Sequence, residues 1–420
     1  QYGIGATLFE QGDFKAAAAE LKVLTDKYAK NTIVPQGRRL RGTCLRELKD
    51  FAGAVTELTA YLGSKPPPTA EAALDARFEL ALCQAGLKQH KQVIATLSLI
   101  LKDKPGFAQK DNLLYELAFA HEANKEAPQA LAAYRRLVAE VPASPLAAEC
   151  WFRIGQSLEK SNDAKQLPEA EKAYGAGLKQ VKKPAVRQSL LYQLGWVQYQ
   201  QKHYPEAVTN LQTLLKDFPE GNQRREAQLL SGECFYLQEK WKEAVVFFDK
   251  VAADAEAPER ARSLYRAGTC HLNLEAWPQA QQRFEALVKG FPKYPQLSSA
   301  RYGLGLSLQK QNQLKRAVVV FEEITKVTNA EVAAKARFMI GECAFAGKQY
   351  KQAYEHFLVA AFKYPYEEWQ AKGFLEAGRC FKALKDQAKA REMLETVIKK
   401  FPDRPEAKVA KTVLDTLAKP

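Results

Sequence analysis

Apolar residues recur at intervals of three and four along nearly the whole chain, as in Leu191, Leu194 and Val197 and again in Val208, Leu211, Leu214 and Leu215. That is the period of a helix with one buried face; a half-buried strand would alternate every second residue. A longer repeat overlies it. A Gly or Ala is followed twelve residues later by a small residue, and four residues after that by Leu, Tyr or Phe. The first anchor falls at Gly5, Gly42, Ala81, Ala118, Gly155, Gly195, Gly232, Gly268, Gly305, Gly341 and Gly378, at spacings of 36 to 40 residues. The third falls at Leu21, Leu58, Leu97, Tyr134, Tyr174, Leu211, Phe248, Phe284, Phe321, Phe357 and Leu394. The second is Ala in every unit except the third, where Val93 stands, and the fifth unit is stretched by three residues around 161–167. Eleven pairs of amphipathic helices are therefore predicted.

Small residues at the first two anchors let paired helices approach to about 8 Å, and the large third anchor is expected to fill the space between units. Prolines mark the same boundaries. Pro128, Pro168, Pro205 and Pro278 each lie two residues before a second anchor, in the first helical turn, where a missing N–H costs nothing. Pro66, Pro105, Pro142, Pro219, Pro292, Pro365 and Pro402 each lie 24 residues after a first anchor and stop the second helix. Residues 406–420 have apolar Val409, Val413, Leu414 and Leu417 without further anchors and read as a capping helix. The proline run at 64–69 suggests a hinge dividing units one and two (1–65) from a continuous array of units three to eleven (66–405); an insertion in a surface turn is the alternative.

These units, with Trp151, Gly155, Ala170 and Tyr174 in one and Gly195, Ala207 and Pro219 in the next, resemble the tetratricopeptide repeat. The resemblance implies an all-α fold, a right-handed α-solenoid whose first helices line a concave wall. Several repeats end in an aromatic-Pro step, such as Phe218-Pro219, Phe291-Pro292, Tyr364-Pro365 and Phe401-Pro402. In this they resemble the long repeats of bacterial cell-envelope scaffolds, the Tol-Pal-associated periplasmic protein and the outer-membrane assembly lipoprotein. The resemblance implies a periplasmic or envelope-associated location, with the cytoplasm as the alternative. Arg41 departs from the family pattern, which wants an apolar residue there.

The five histidines show no two-His zinc spacing and no Gly-x-Ser-x-Gly neighbour, and the glycines form no phosphate loop or dinucleotide fingerprint. His121 and His271 share one helix position and read as core or groove residues. Six of the seven cysteines, Cys44, Cys83, Cys234, Cys270, Cys343 and Cys380, lie two residues after a first anchor, and Cys150 lies on the same stripe. Equivalent positions on stacked helices are about 8–10 Å apart, too far for a disulfide, so Cys is read as a small buried hydrophobe. No metal, cofactor or catalytic residue is expected. Free thiols favour a reducing compartment, and burial would reconcile them with an oxidising one.

The family's groove positions lie three before, one after and four or five after the first anchor. The first of these carries Tyr2, Phe78, Tyr115, Phe152, Tyr192, Tyr265, Tyr302 and Phe338, interrupted by Arg39, Leu229 and Leu375. Tyr192, Trp196 and Tyr199 follow one helix face, and Tyr236 is expected beside them. Such rings suit a peptide, because they offer a large contact area at little rotamer cost. Alternatively, they pack between adjacent helices. No Asn follows any first anchor, which argues against a clamp for chaperone C-termini.

The chain has 420 residues, with 62 Lys+Arg against 48 Asp+Glu, a net charge of +14. From Lys172 to Pro205 there is no acid, while Lys179, Lys182, Lys183, Arg187 and Lys202 are present and would suit an acidic segment of a partner. No apolar stretch approaches the ~20 residues that span a bilayer. The reading that follows is a non-catalytic scaffold binding a protein or peptide on its concave face. Nucleic-acid binding by helical repeats is one alternative, opposed by the interleaving of basic and acidic residues. The other is the targeting portion of a larger enzyme, since the chain opens without Met inside a repeat, as a fragment or processed form would.

Overall fold

In the computed structural model, residues 1–161 and 163–417 are described. They form 23 α-helices and one short 3₁₀ turn, with no strand among the described residues. The chain divides into two compact units, Gln1–His203 and Tyr204–Pro420.

The first unit holds five hairpins and a further helix. The hairpins are α1 (Tyr2–Glu10) with α2 (Phe14–Lys27), α3 (Val34–Glu47) with α4 (Phe51–Leu62), α5 (Ala70–Gly86) with α6 (His90–Asp103), α7 (Lys110–Ala123) with α8 (Ala127–Glu140), and α9 (Ala147–Glu159) with α10 (Leu167–Gln180); α11 (Pro184–Gln200) follows. The second unit begins with α12 (Tyr204–Asp217). Its hairpins are α13 (Arg224–Leu237) with α14 (Trp241–Ala253), α15 (Arg260–Asn273) with α16 (Trp277–Gly290), α17 (Leu297–Lys310) with α18 (Leu314–Val327), α19 (Glu331–Ala346) with α20 (Tyr350–Lys363), and α21 (Glu367–Ala383) with α22 (Gln387–Lys400). The capping helix is α23 (Pro405–Asp415), which packs on α21 and α22. Of the capping segment read from the sequence, residues 418–420 lie outside the described residues. In the stretched fifth repeat, Asp163 caps the turn Ala164–Gln166 by accepting from the Lys165 amide.

The anchors explain the hairpins. Second and third anchors are all buried, and in eight repeats whose first anchor is a glycine the third lies directly against it. A Cβ added to Gly155 would stand 2.6 Å from Tyr174 Cζ, and one on Gly341 would stand 2.6 Å from Phe357 Cε1. Phe284 also reaches the next hairpin, touching Gly268 on its own first helix and Gly303 on α17. The ring of Phe284 therefore both closes its own hairpin and fills the space to the next.

The chain takes a left-handed residue seven positions after the first anchor in every repeat described there. Only Gly12 is a glycine; the others are Lys49, Lys88, Lys125, Lys202, Glu239, Glu275, Asn312, Lys348 and Lys385, with φ between 55° and 64°. At the second hairpin the Asp50 amide donates to the Leu45 carbonyl and the Lys49 amide to Arg46, which satisfies the carbonyls that end α3. Asp50 then caps α4 by accepting from the Gly53 amide. Three residues, Leu48, Lys49 and Asp50, join the helices of this hairpin.

Arg41 is explained by a partner. It forms an ion pair with Glu57 on α4, and Arg38 bonds the other carboxylate oxygen at 3.1 Å, so a carboxylate only 6 % exposed is shared by two guanidinium groups. The core continues from α4 into α5 past the proline run, since Leu80 and Cys83 join the cluster built on Leu21, Leu58 and Ala54.

Candidate binding surface

The first helices carry the ring ladder, and the structure turns most of it inward. In the first unit Tyr115 meets Tyr134 edge-on at 6.1 Å and Phe152 lies 6.0 Å from Tyr174, each the third anchor of its own hairpin. Phe78 is buried against Phe107. The Tyr115 hydroxyl donates to Glu149 Oε1 of the following hairpin at 2.7 Å. In the second unit Tyr265 packs on Phe284 and Tyr294, Tyr302 on Phe321, and Phe338 on Phe357 and Trp369. Burial pushes the Tyr302 phenol above its ordinary pKa. Tyr265 and Tyr302 thus serve packing with their rings and keep part of their surface open.

On α11, Trp196 and Tyr199 stack with centroids 5.7 Å apart and planes 21° from parallel, and both are partly exposed, as is Tyr192 one turn earlier. Tyr236 belongs to the second unit. There it stands edge-on to Trp241 at 5.1 Å, and the Arg266 guanidinium lies over its ring at 4.2 Å. Arg266 is held by Glu233, one residue after the first anchor and 2 % exposed, which also accepts from Arg262. A cation over the ring and a buried carboxylate behind the cation lock Tyr236 in place.

An acidic pair, Glu342 and Glu376, lies on α19 and α21. Glu376 accepts from Arg379 at 2.7 Å, and its carboxyl is pushed up to about 7 by burial, with Arg379 opposing and Glu342 adding to the rise. Burial raises Glu342 as well. Sequence reasoning missed both acidic sites. The available signal was Glu233 and Glu342 at the same position after the anchor, each with arginine on a neighbouring first helix.

The basic stretch does not surround the rings. Lys182 and Lys183 precede α11, and thirteen residues of helix at ~1.5 Å each put Lys183 about 20 Å from Trp196 along the axis. Lys179 is exposed on α10, Arg187 is half-buried on α11, and only Lys202, in the turn after α11, follows Tyr199 closely.

All seven cysteines are buried and unpaired, and burial lifts their thiols to about 11 at Cys44, Cys83 and Cys343 and to about 12 at Cys150, Cys234, Cys270 and Cys380. His121 Nδ1 lies 2.6 Å from Glu126 Oε2. His271 is packed with both ring nitrogens lacking a hydrogen bond, its Nε2 3.6 Å from Asp249. No group of three or more His, Cys, Asp or Glu among the described residues could hold a metal, and no described helix is long and apolar enough to cross a membrane.

A tetratricopeptide repeat model matches residues 2–71, 192–258 and 302–368, and a second model of that description matches 113–144, 262–294 and 373–404. No curated protein matches the chain. Among solved structures, a tetratricopeptide repeat protein from Parabacteroides merdae is 15% identical over 73% of this chain and 98% of its own, with TM-score 0.38. The C-terminal part of a TPR repeat-containing protein from Cytophaga hutchinsonii is 11% identical over 71% of this chain and 99% of its own, with TM-score 0.45. YrrB, a TPR protein with an unusual peptide-binding site, is 24% identical over 47% of this chain and 96% of its own, with TM-score 0.37. With matches along more than half its length and the anchor packing seen in the hairpins, the chain belongs to the tetratricopeptide repeat family.

Proposed function

We propose that the chain is a protein-interaction scaffold that binds a peptide or protein segment on the face of its first helices and performs no bond chemistry. The observation that carries this reading is the stacked Trp196–Tyr199 pair, partly exposed on one face of α11 with ring centroids 5.7 Å apart. A preformed, rigid pair of rings offers contact area without the cost of ordering a loop. The buried thiols support the non-catalytic part, because at about 11 to 12 they stay protonated and are poor nucleophiles at neutral pH. Placement at the cell envelope belongs to the same proposal and is supported by the aromatic-Pro steps; the buried thiols would be protected in an oxidising compartment.

Affinity capture with the chain as bait, compared with a Trp196→Ala/Tyr199→Ala variant of unchanged helicity, tests the proposal. Partners retained by the native chain should be lost from the variant, with at least a tenfold fall in affinity when one is purified and titrated, or about 1.4 kcal/mol. Equal retention by both proteins would reject this face as the site.

A further inference from the structure

A place that holds an aromatic ring in one repeat is open in another. At the N-terminal end of α21, Trp369 stands nine residues before the first anchor Gly378 and is 7 % exposed. Its indole lies on the preceding first helix, α19. The Nε1 donates to Glu331 Oε1 at 3.2 Å, the ring is 5.5 Å from Phe338, and Lys335 stands 5.8 Å from its centre. Glu331 and Lys335 are ten and six residues before their anchor, Gly341. Elsewhere the connecting turn supplies the ring, Phe107 on Phe78 and Tyr294 on Tyr265.

In the first unit α11 has the same 17-residue length as α21, but the residue nine before Gly195 is Val186. The positions that correspond to Glu331 and Lys335 are Pro145, in the turn before α9, and Glu149 on α9. Instead of being covered, both line an open cleft of about 460 Å³, floored by Ala148, Val181 and Val186. Such a volume is in the usual ~300–1,000 Å³ range of ligand sites. The connection before α11 contributes Val181, Lys182 and Lys183 to the lining and no aromatic ring.

Charge at the mouth is one-sided. Lys182 and Lys183 line the cleft and are exposed, and neither makes an ion pair among the described residues. The only acid in the lining, Glu149, already accepts the Tyr115 hydroxyl. The N-terminal end of α11 adds its partial positive charge.

We propose that this cleft is a docking seat for a partner's peptide segment that inserts one large aromatic side chain and sets carboxylates against Lys182 and Lys183. The occupant is a polypeptide side chain because that is what fills the corresponding place in α21. The seat is separate from the Trp196–Tyr199 face, so it stands or falls independently of that reading.

The probe is a fluorescein-labelled octapeptide with a central tryptophan flanked by glutamates, titrated into the full chain by fluorescence anisotropy. The native chain is expected to bind it saturably, and at least about tenfold more weakly when alanine replaces the tryptophan or lysines replace the glutamates, a factor that corresponds to one lost anchor. Val186→Trp, which would fill the seat with the chain's own indole, should reduce binding by a similar factor. Lys182→Glu/Lys183→Glu, an exposed change that spares the fold, should do the same. Trp196→Ala/Tyr199→Ala should bind the probe as the native chain does. No saturable binding by the native chain, equal binding of the alanine peptide, or undiminished binding by the double-glutamate variant would overturn the proposal.

Discussion

Gly155 lies directly under the ring of Tyr174, with so little room that a methyl group on the glycine would come within 2.6 Å of the phenol carbon. Tyr174 is fully buried and its hydroxyl donates to Glu159 at 3.0 Å, so the ring is fixed at both ends. Gly155→Ala is therefore expected to destabilise the first unit by about 1–3 kcal/mol through overpacking. Gly175, on the next helix of the same hairpin, has nothing within 4 Å of its Cβ direction, and Gly175→Ala should stabilise by up to about 1 kcal/mol through helix propensity. Urea unfolding of the two variants should show opposite shifts in midpoint.

The left-handed turn residues yield a second prediction. At Lys348, φ 59°, replacement by Gly removes a steric cost of about 1–2 kcal/mol but adds about 0.5–1 kcal/mol of unfolded-chain entropy, leaving a small net change. Lys348→Val puts a β-branched residue where it is strongly disfavoured and should cost at least about 1 kcal/mol more than the glycine. Thermal unfolding of the pair checks the order.

Glu376 makes stability depend on pH. Its folded carboxyl, at about 7, holds a proton that the unfolded chain releases near 4.5, so between those values the folded state binds more protons and stability falls as pH rises. The loss from pH 4.5 to pH 7 should be on the order of 2–3 kcal/mol for this group. Glu376→Gln should flatten the profile in that window and make the protein more stable than native at pH 8. A variant that keeps the native slope would refute the assignment.

The thiols should resist modification. With all seven buried and lifted to about 11 or 12, an aromatic disulfide reagent at pH 8 should label fewer than one per chain while the protein is folded, and all seven in denaturant. Rapid labelling of the folded protein would show that one of them opens to solvent.

Much of the hairpin array was legible from residue spacing alone, and little of the candidate site was. Helical period, small crossing residues and boundary prolines are local properties: a face repeating every 3.6 residues must be buried against something, and Gly155 or Ala170 can only serve where backbones meet. That logic placed the helix pairs, the buried cysteine stripe and the α23 cap. It did not reveal the left-handed turns, because Lys49 or Lys385 carries no signal of the kind glycine would.

Tertiary structure decided what each side chain faces. Tyr115 and Tyr302 have the same sequence credentials as a groove residue or a core residue, and only the ring across the hairpin shows that both pack inward. Lys183 and Trp196 look adjacent in a basic, aromatic stretch, yet a rigid helix holds them about 20 Å apart along its axis. Val186 looks like any apolar residue until it is set beside Trp369, whose ring fills the place that Val186 leaves open. Periodicity specifies that a face is covered; the identity of the covering group depends on the length and path of the next connection, which residue spacing within one repeat does not encode.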